Sequence, residues 1–181
     1  MKVTATKIPE ILIIEPQVFT DDRGFFFESF HDKSFQEKTG LNINFVQDNH
    51  SRSNQNVLRG LHYQIQQPQA KLVRVVSGEI LDIGVDIRQS SPTFKQWVGV
   101  ILSAENKKQL FIPEGFAHGF FVLSKTADVL YKTNNFYQGK FDRSIRWNDP
   151  DIGINWHSNK TPILSEKDQN APFLKEAEIF D

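Results

Sequence analysis

The chain has no cysteine among its 181 residues. Disulfide bonds, thiolate nucleophiles and cysteine-based zinc sites are therefore excluded. The formal net charge is −1 and like charges form no long block, so neither a nucleic acid nor an anionic membrane surface is an expected partner. No apolar run approaches the ~18 residues that a transmembrane helix needs. The N-terminus lacks the apolar core of a signal peptide, and we expect a cytoplasmic protein.

Several nucleotide-binding and catalytic loops are also missing. There is no Gly-x-Gly-x-x-Gly motif, no Gly-x-x-x-x-Gly-Lys-Ser/Thr motif and no Gly-x-Ser-x-Gly motif. These absences argue against a Rossmann cofactor, a P-loop nucleotide and a hydrolase nucleophile elbow. Long helical patterns are absent as well, which argues against a doubly wound sheet or an α/β barrel. The length suits one domain spanning residues 1–181.

What the chain does contain favours β-structure. Sixteen phenylalanines suit pleated, half-buried surfaces. Strict alternation is clearest at 79–88, where Leu81 and Ile87 belong to an apolar face and Asp82 and Arg88 to a polar one. Similar short runs, separated by Gly- or Pro-containing turns, occur at 57–65, 72–76, 97–102, 109–112, 119–123 and 127–133. This spacing predicts an all-β sandwich or barrel.

Two short helices are expected beside these strands. The first spans 32–39, with Asp32 as its N-cap and Gly40 just after its C-terminus. The second lies in the tail from Ser165 onward, with Pro172 near its first turn. Helix is therefore confined to the N-terminal third and the C-terminus.

His62 and Lys71 are the most informative candidates for chemistry. We expect them on neighbouring strands, offering an imidazole base and an ammonium group to a carbonyl compound. Other interpretations stay open at this point. His62 could be a hydrogen-bonded core residue or a metal ligand, and Lys71 a solvated surface residue.

The strand around His62 poses a geometric problem. Ideal pleating puts Arg59 and His62 on opposite faces because they are three residues apart. Gly60 leaves room beside His62 for a ligand. If Arg59 and His62 contact the same ligand, a bulge or strong twist at Gly60 is required.

Five segments in order resemble the dTDP-4-dehydrorhamnose 3,5-epimerase family, a branch of the cupins. They are 22–28, 45–49, 58–64, 71–74 and 112–120, with shorter matches at 131–132, 147–150 and 165–168. The resemblance implies a cupin-type jelly-roll β-barrel or sandwich that works without metal or redox cofactor. It also implies a homodimer that exchanges N-terminal strands.

The resemblance implies epimerisation of dTDP-4-dehydro-6-deoxy-D-glucose at C3 and C5. The product is dTDP-4-dehydro-L-rhamnose, an intermediate of dTDP-L-rhamnose biosynthesis. His62 matches the family's base and Asp168 the carboxylate that orients it. Lys71 matches the cation near the enolate oxygen, and Tyr131 the acid that returns a proton from the opposite face. Taken alone, Tyr131 suits the core and Asp168 suits position N3 of a capping box.

The same resemblance implies a set of substrate-binding residues. They are Arg23, Arg59 and Lys167 around the nucleotide diphosphate; Glu28, Gln47, Asn49 and His118 at the sugars; Tyr137 on thymine; and Asp142. Family members commonly have Glu at the position of Asp142, so the shorter side chain leaves that contact open. Arg23 and Glu28 are expected to serve the partner's site. Without the resemblance, His118 would be read as a turn residue.

Three alternatives remain. Relatives that invert only C3 or only C5 look similar. A metal-dependent cupin would have a His-x-His pair, where this chain has His62-x-Gln64. A catalytically silent module could bind a sugar nucleotide without needing a base.

Overall fold

The computed structural model describes all 181 residues. Its thirteen strands are β1 (Lys2–Ala5), β2 (Leu12–Glu15), β3 (Phe19–Asp21), β4 (Gly24–Phe26), β5 (Gln47–Asn54), β6 (Leu58–Gln64), β7 (Lys71–Ser77), β8 (Glu79–Asp86), β9 (Trp97–Ser103), β10 (Gln109–Ile112), β11 (Phe116–Val122), β12 (Thr126–Thr133) and β13 (Asp142–Ser144). The helices are α1 (Asp32–Thr39) and α2 (Glu166–Gln169), with 3₁₀ turns at Gly139–Phe141 and Leu174–Glu176.

Two antiparallel sheets make up the body of the protein. The first sheet has the order β1-β2-β10-β7-β12-β5, and the second has the order β13-β6-β11-β8-β9. β3 and β4 form a separate hairpin. Apolar side chains of both sheets, such as Val73 and Val129 from the first and Leu102 and Val122 from the second, form one buried cluster. The predicted jelly roll is therefore confirmed as a sandwich rather than a closed barrel.

Both outer faces are covered as well. Phe35 of α1 packs with Leu72 and Phe111 on the first sheet. The C-terminal segment brings Trp156 and Leu174 onto the second. Apolar side chains are therefore buried on both faces of each sheet, which adds to the hydrophobic stabilisation of the fold.

β8 shows the effect of this double coverage. The alternation at 79–88 is confirmed, with Leu81 and Ile87 in the outer cluster of the second sheet. Its polar face is also buried, and Asp82 and Asp86 are fully enclosed. The strand ends at Asp86, and the guanidinium of Arg88 donates to that carboxylate.

The predicted strands are present with shifted ends, and β11 begins at Phe116 rather than at residue 119. Five strands before residue 55 and β13 were not predicted. Polar composition hides β5, whose sequence is Gln-Asp-Asn-His-Ser-Arg-Ser-Asn. It is held at the sheet edge by backbone pairing with β12.

The helix at 32–39 is confirmed, but its N-cap is His31 and not Asp32. The His31 ring accepts the Ser34 N–H at 3.3 Å, an unusual use of imidazole as a cap acceptor. In the tail, Ser165 caps α2, while Pro172 lies beyond the end of that helix and just before the 3₁₀ turn at Leu174–Glu176. None of the helices is long and apolar enough to cross a membrane.

Candidate active site

A cavity of about 180 Å³ opens between the two sheets. We call it the inter-sheet cavity. Its lining residues come from both sheets, the loops after β6 and β12, and α2: Ser51, Arg59, His62, Tyr63, Gln64, Gln69, Lys71, His118, Phe120, Tyr131, Tyr137, Asp142 and Lys167. Eight of the thirteen residues predicted for the site therefore line a single cavity.

His62 is oriented by a carboxylate from the opposite end of the chain. Its Nε2 lies 2.6 Å from Oδ1 of Asp168, a buried residue on α2. Burial disfavours the charge on Asp168, but the hydrogen bond from His62 helps to outweigh it, and the pKa of the carboxyl is lowered. The capping-box interpretation is right for the backbone, since Ser165 accepts the Asp168 N–H at 3.1 Å. The side chain of Asp168 serves the histidine instead.

A second histidine–carboxylate pair lies beside the first. His118 Nε2 is 2.7 Å from Oδ1 of Asp82, and both residues are buried. His118 pairs directly with His62 across β6 and β11, so it is a strand residue and not a turn residue. Burial lowers the pKa of His118, which favours a neutral imidazole at neutral pH. The other carboxylate oxygen of Asp82 is buried without a hydrogen-bond partner.

A bulge at Gly60 solves the problem of Arg59 and His62. Between the pairs His62–His118 and Arg59–Phe120, β6 advances three residues while β11 advances two. The two backbones approach so closely that a Cβ on Gly60 would lie 2.6 Å from the Cα of Gly119. Both Arg59 and His62 consequently face the inter-sheet cavity.

Lys71 comes from the first sheet, across the cavity from His62. The two residues are therefore on facing sheets and not on neighbouring strands, which corrects the sequence expectation. Only 7% of Lys71 is exposed, so the solvated-surface interpretation is wrong. Its Nζ donates to the His62 carbonyl oxygen at 3.4 Å, and burial lowers its pKa to about 8.

Tyr131 stands near Lys71 on the adjacent strand β12. It is partly buried, and burial raises the pKa of its phenol. Its ring centroid lies 6.5 Å from that of His118. The cavity thus has two imidazoles on one wall and an ammonium and a phenol on the other.

The mouth of the cavity is built around Asp142. Its Oδ2 accepts the Tyr137 hydroxyl at 3.1 Å and also pairs with the Lys167 ammonium. Asp142 thus contacts two other residues that were predicted for the site. Arg59 donates from Nε to the Ser53 hydroxyl at 2.9 Å.

Four predicted binding residues lie outside the cavity lining. Gln47 donates to Asn49 and accepts the Tyr137 N–H, both at 3.0 Å. Arg23 has 90% of its side chain exposed and pairs with Asp21 on the β3–β4 hairpin. Glu28 is exposed just after that hairpin.

Sequence reasoning missed six residues at the site. They are Ser51, Tyr63, Gln64, Gln69, Phe120 and Asp82. For Asp82 a signal was present, because a carboxylate inside an apolar alternating strand predicts a buried partner. For Gln64, the sequence indicates only that a metal ligand is missing at this position.

No three His, Asp or Glu side chains converge as metal ligands. Each of the two cavity histidines already faces a carboxylate through Nε2. The Gln64 amide is used by backbone groups of a nearby loop. The metal-dependent cupin alternative therefore has no ligand set in this cavity.

Known proteins resemble this chain along nearly its whole length. The family model described as dTDP-4-dehydrorhamnose 3,5-epimerase matches residues 5–176. The dTDP-4-dehydrorhamnose 3,5-epimerase of Shigella flexneri is 58% identical over 181 residues, covering 99% of each chain.

Solved structures agree. The 3,5-epimerase of Legionella pneumophila in complex with dTDP-4-keto-L-rhamnose is 52% identical, with a TM-score of 0.95 over 97% of this chain and 93% of that one. A 3′-monoepimerase of Streptomyces bikiniensis with dTDP-quinovose is 34% identical, with a TM-score of 0.89 over 97% and 88%. Fold alone therefore does not separate single from double epimerases, while sequence identity is higher with the double epimerases.

Proposed function

This chain belongs to the dTDP-4-dehydrorhamnose 3,5-epimerase family, and we propose that the inter-sheet cavity is where it carries out the reaction. The enzyme converts dTDP-4-dehydro-6-deoxy-D-glucose to dTDP-4-dehydro-L-rhamnose by inverting C3 and C5. Both carbons flank the C4 ketone, so their protons are acidified and each can be removed to leave an enolate. Return of a proton to the opposite face of the ring inverts the centre.

His62 is the base in this proposal. Asp168 accepts a hydrogen bond from Nε2–H, which leaves Nδ1 with a free lone pair for the substrate. The charged carboxylate also stabilises the imidazolium formed when the proton is taken. In this proposal His62, oriented by Asp168, removes the proton from C3 and from C5 in turn.

Lys71 and Tyr131 complete the chemistry from the other sheet. An ammonium in a buried position stabilises the negative charge that develops on the C4 oxygen. The Tyr131 hydroxyl donates the returning proton. The observation that carries the proposal is this division, with the base on one wall of the cavity and the cation and the phenol on the facing wall.

The mouth residues suit a sugar nucleotide. Arg59 and Lys167 supply positive charge for the diphosphate, and the exposed ring of Tyr137 supplies a surface for thymine. His118, Gln47, Asn49 and Asp142 are assigned to polar contacts with the substrate or its surroundings. Arg23 and Glu28 are assigned to the site of a partner protomer. The homodimer and the cytoplasmic location both remain predictions.

Exchange in heavy water tests the proposal directly. The purified enzyme is incubated with substrate in D₂O, and deuterium is measured separately at C3 and C5 by NMR. We expect incorporation at both carbons, together with formation of the rhamno product. Incorporation at one carbon would identify a single epimerase, and tight binding of dTDP without any exchange would identify a silent binding module.

A matched pair of variants isolates the base. His62→Asn should abolish exchange at both carbons. His157→Asn changes an exposed histidine outside the cavity and should exchange like the wild type. Near-normal exchange by His62→Asn would refute the assignment of the base.

A further inference from the structure

The aromatic ring at the mouth of the cavity stands on a loop that joins the two sheets. Residues 134–141 leave β12 of the first sheet and lead into β13 of the second. Phe136 and Tyr137 are 63% and 55% exposed. Because neither ring is buried in the core, apolar packing does not fix the position of Tyr137, and polar contacts must do so.

Gln47 accepts the Tyr137 N–H at 3.0 Å, and Gln64 contacts the residues on either side of Tyr137. Gln64 is only 2% exposed. Its Nε2 donates to the carbonyl oxygens of Gln67 at 2.9 Å and Phe136 at 3.3 Å. Its Oε1 accepts the N–H of Gln138 at 2.6 Å. One buried amide thus holds the residue before Tyr137 and the residue after it.

The hydroxyl of Tyr137 is hydrogen-bonded to β13, the strand that pairs with β6. It donates to Asp142, and Asp142 is the residue of β13 that pairs with Gln64 across β6. Gln64 therefore contacts the backbone on both sides of Tyr137 and pairs with the residue that accepts its hydroxyl. His62 lies two residues away on β6, so one strand sets the placement of the base and of the aromatic ring.

We propose that Gln64 is a positioning residue for nucleotide binding, acting through Tyr137 and taking no part in proton transfer. The inference rests on the proposed function for the role of Tyr137 as the surface for thymine. A loop already held in its binding geometry loses less conformational freedom when the ligand arrives, and so binds more tightly. The position that a metal-dependent cupin gives to a ligand therefore has a different use in this chain.

Gln64→Glu tests the proposal with a side chain of nearly the same size and shape. Glutamate keeps an acceptor for the Gln138 N–H but puts an oxygen against the carbonyls of Gln67 and Phe136. We expect the dissociation constant for dTDP, measured by calorimetry, to rise about tenfold, as for the loss of one buried hydrogen bond. KM should rise similarly, while kcat and the pH profile of kcat stay within about twofold of the wild type.

A double-mutant cycle shows whether the effect passes through Tyr137. On a Tyr137→Ala background, Gln64→Glu should cost no further dTDP affinity, because the ring that it positions is gone. Additive losses would overturn the proposal, as would a fall in kcat with an unchanged KM. An unchanged dTDP affinity in the single variant would overturn it too.

A second variant at position 64 and a control variant at position 55 complete the experiment. Gln64→Met removes both polar atoms at similar size, and hydrogen exchange of the 134–141 amides should quicken in it if the loop is released. Gln55→Glu adds the same charge at an exposed glutamine outside the cavity, where Nε2 donates to the Leu123 carbonyl, and should bind dTDP normally. The binding assay uses dTDP alone, so a wild type that binds dTDP but exchanges no proton would refute the proposed function without affecting this test.

Discussion

Asp168 and His62 are 106 positions apart in the sequence and 2.6 Å apart in the structure. α2 has only four residues, and Asp168 is the buried one among them. The imidazole is thereby held in one tautomer and one orientation.

Asp168→Asn should therefore lower kcat strongly while leaving dTDP affinity near that of the wild type. An amide cannot stabilise the imidazolium and can present its NH₂ group to His62, which favours the wrong tautomer. We expect a loss of about 10²–10⁴-fold, by analogy with other histidine–carboxylate pairs. Steady-state kinetics with calorimetry of dTDP binding measure both quantities. Activity close to that of the wild type would show that His62 needs no orienting partner.

Lys71 should make the reaction sensitive to alkaline pH. Burial lowers its pKa to about 8, and the charged form is the one that stabilises an enolate. The ammonium is present below that pH and lost above it, so kcat/KM should fall as pH rises through about 8. Lys71→Gln should be slower by about 10²–10³-fold and lack this limb. Lys125→Gln, at an exposed site, should keep the limb.

Tyr131→Phe should separate proton removal from inversion. His62 remains, so the substrate should still exchange protons with D₂O on the face that the base contacts. Without the phenol, formation of the inverted product should fall by about 10²-fold or more. NMR of the recovered substrate and product distinguishes the two events. Equal loss of exchange and of product would remove Tyr131 from the role of acid.

Arg23 should act in the cavity of a partner protomer if the dimer forms as predicted. In this chain it is paired with Asp21, away from the inter-sheet cavity. Arg23→Ala and His62→Ala proteins should each be nearly inactive. After unfolding and refolding together in equal amounts, mixed dimers should restore roughly a quarter of wild-type sites. No recovery, despite dimers in the mixture, would contradict service across the interface.

Asp86 should stabilise the fold in a pH-dependent way. Burial disfavours its charge, but hydrogen bonds from Arg88, Ser91 and Thr93 lower the pKa to about 2. A lowered carboxyl pKa contributes stability above the unfolded value near 4 and loses it as pH falls toward 2, here about 2–3 kcal/mol. Urea unfolding at pH 6 and pH 3 should show a smaller pH dependence for Asp86→Asn. If the variant and the wild type lost the same stability between pH 6 and pH 3, the group responsible would not be Asp86.

Periodicity was enough to predict the body of the fold. Alternating apolar residues identified seven strands, because residues facing a packed interior repeat every two positions. β5 could not be found in this way, since its sequence is polar and it pairs with β12 at a sheet edge through the backbone and through polar side chains such as Arg52 with Asp128. The N-terminal strands are also short, and a three-residue strand such as β3 has too few positions to show a period.

The geometry of the site could not be predicted from hydrophobic periodicity. Which sheet each strand joins is decided by long-range pairing, so His62 and Lys71 were expected on neighbouring strands although they face each other. Asp168 was ordinary by pattern and entered only through the family resemblance. The burial of Lys71 could not be predicted from the sequence either, because a lysine at the start of a strand is usually exposed to solvent.

His62 and Tyr131 belong to different sheets, so the span between proton acceptor and proton donor is set by the thickness of the sandwich. Interior side chains such as Val73, Val75 and Val129 set that thickness, and none of them lines the cavity. Enlarging or trimming one of them changes the span while both reacting groups stay intact. The distance between the proton acceptor and the proton donor of the proposed reaction therefore depends on the packing of the hydrophobic core as well as on the residues of the cavity.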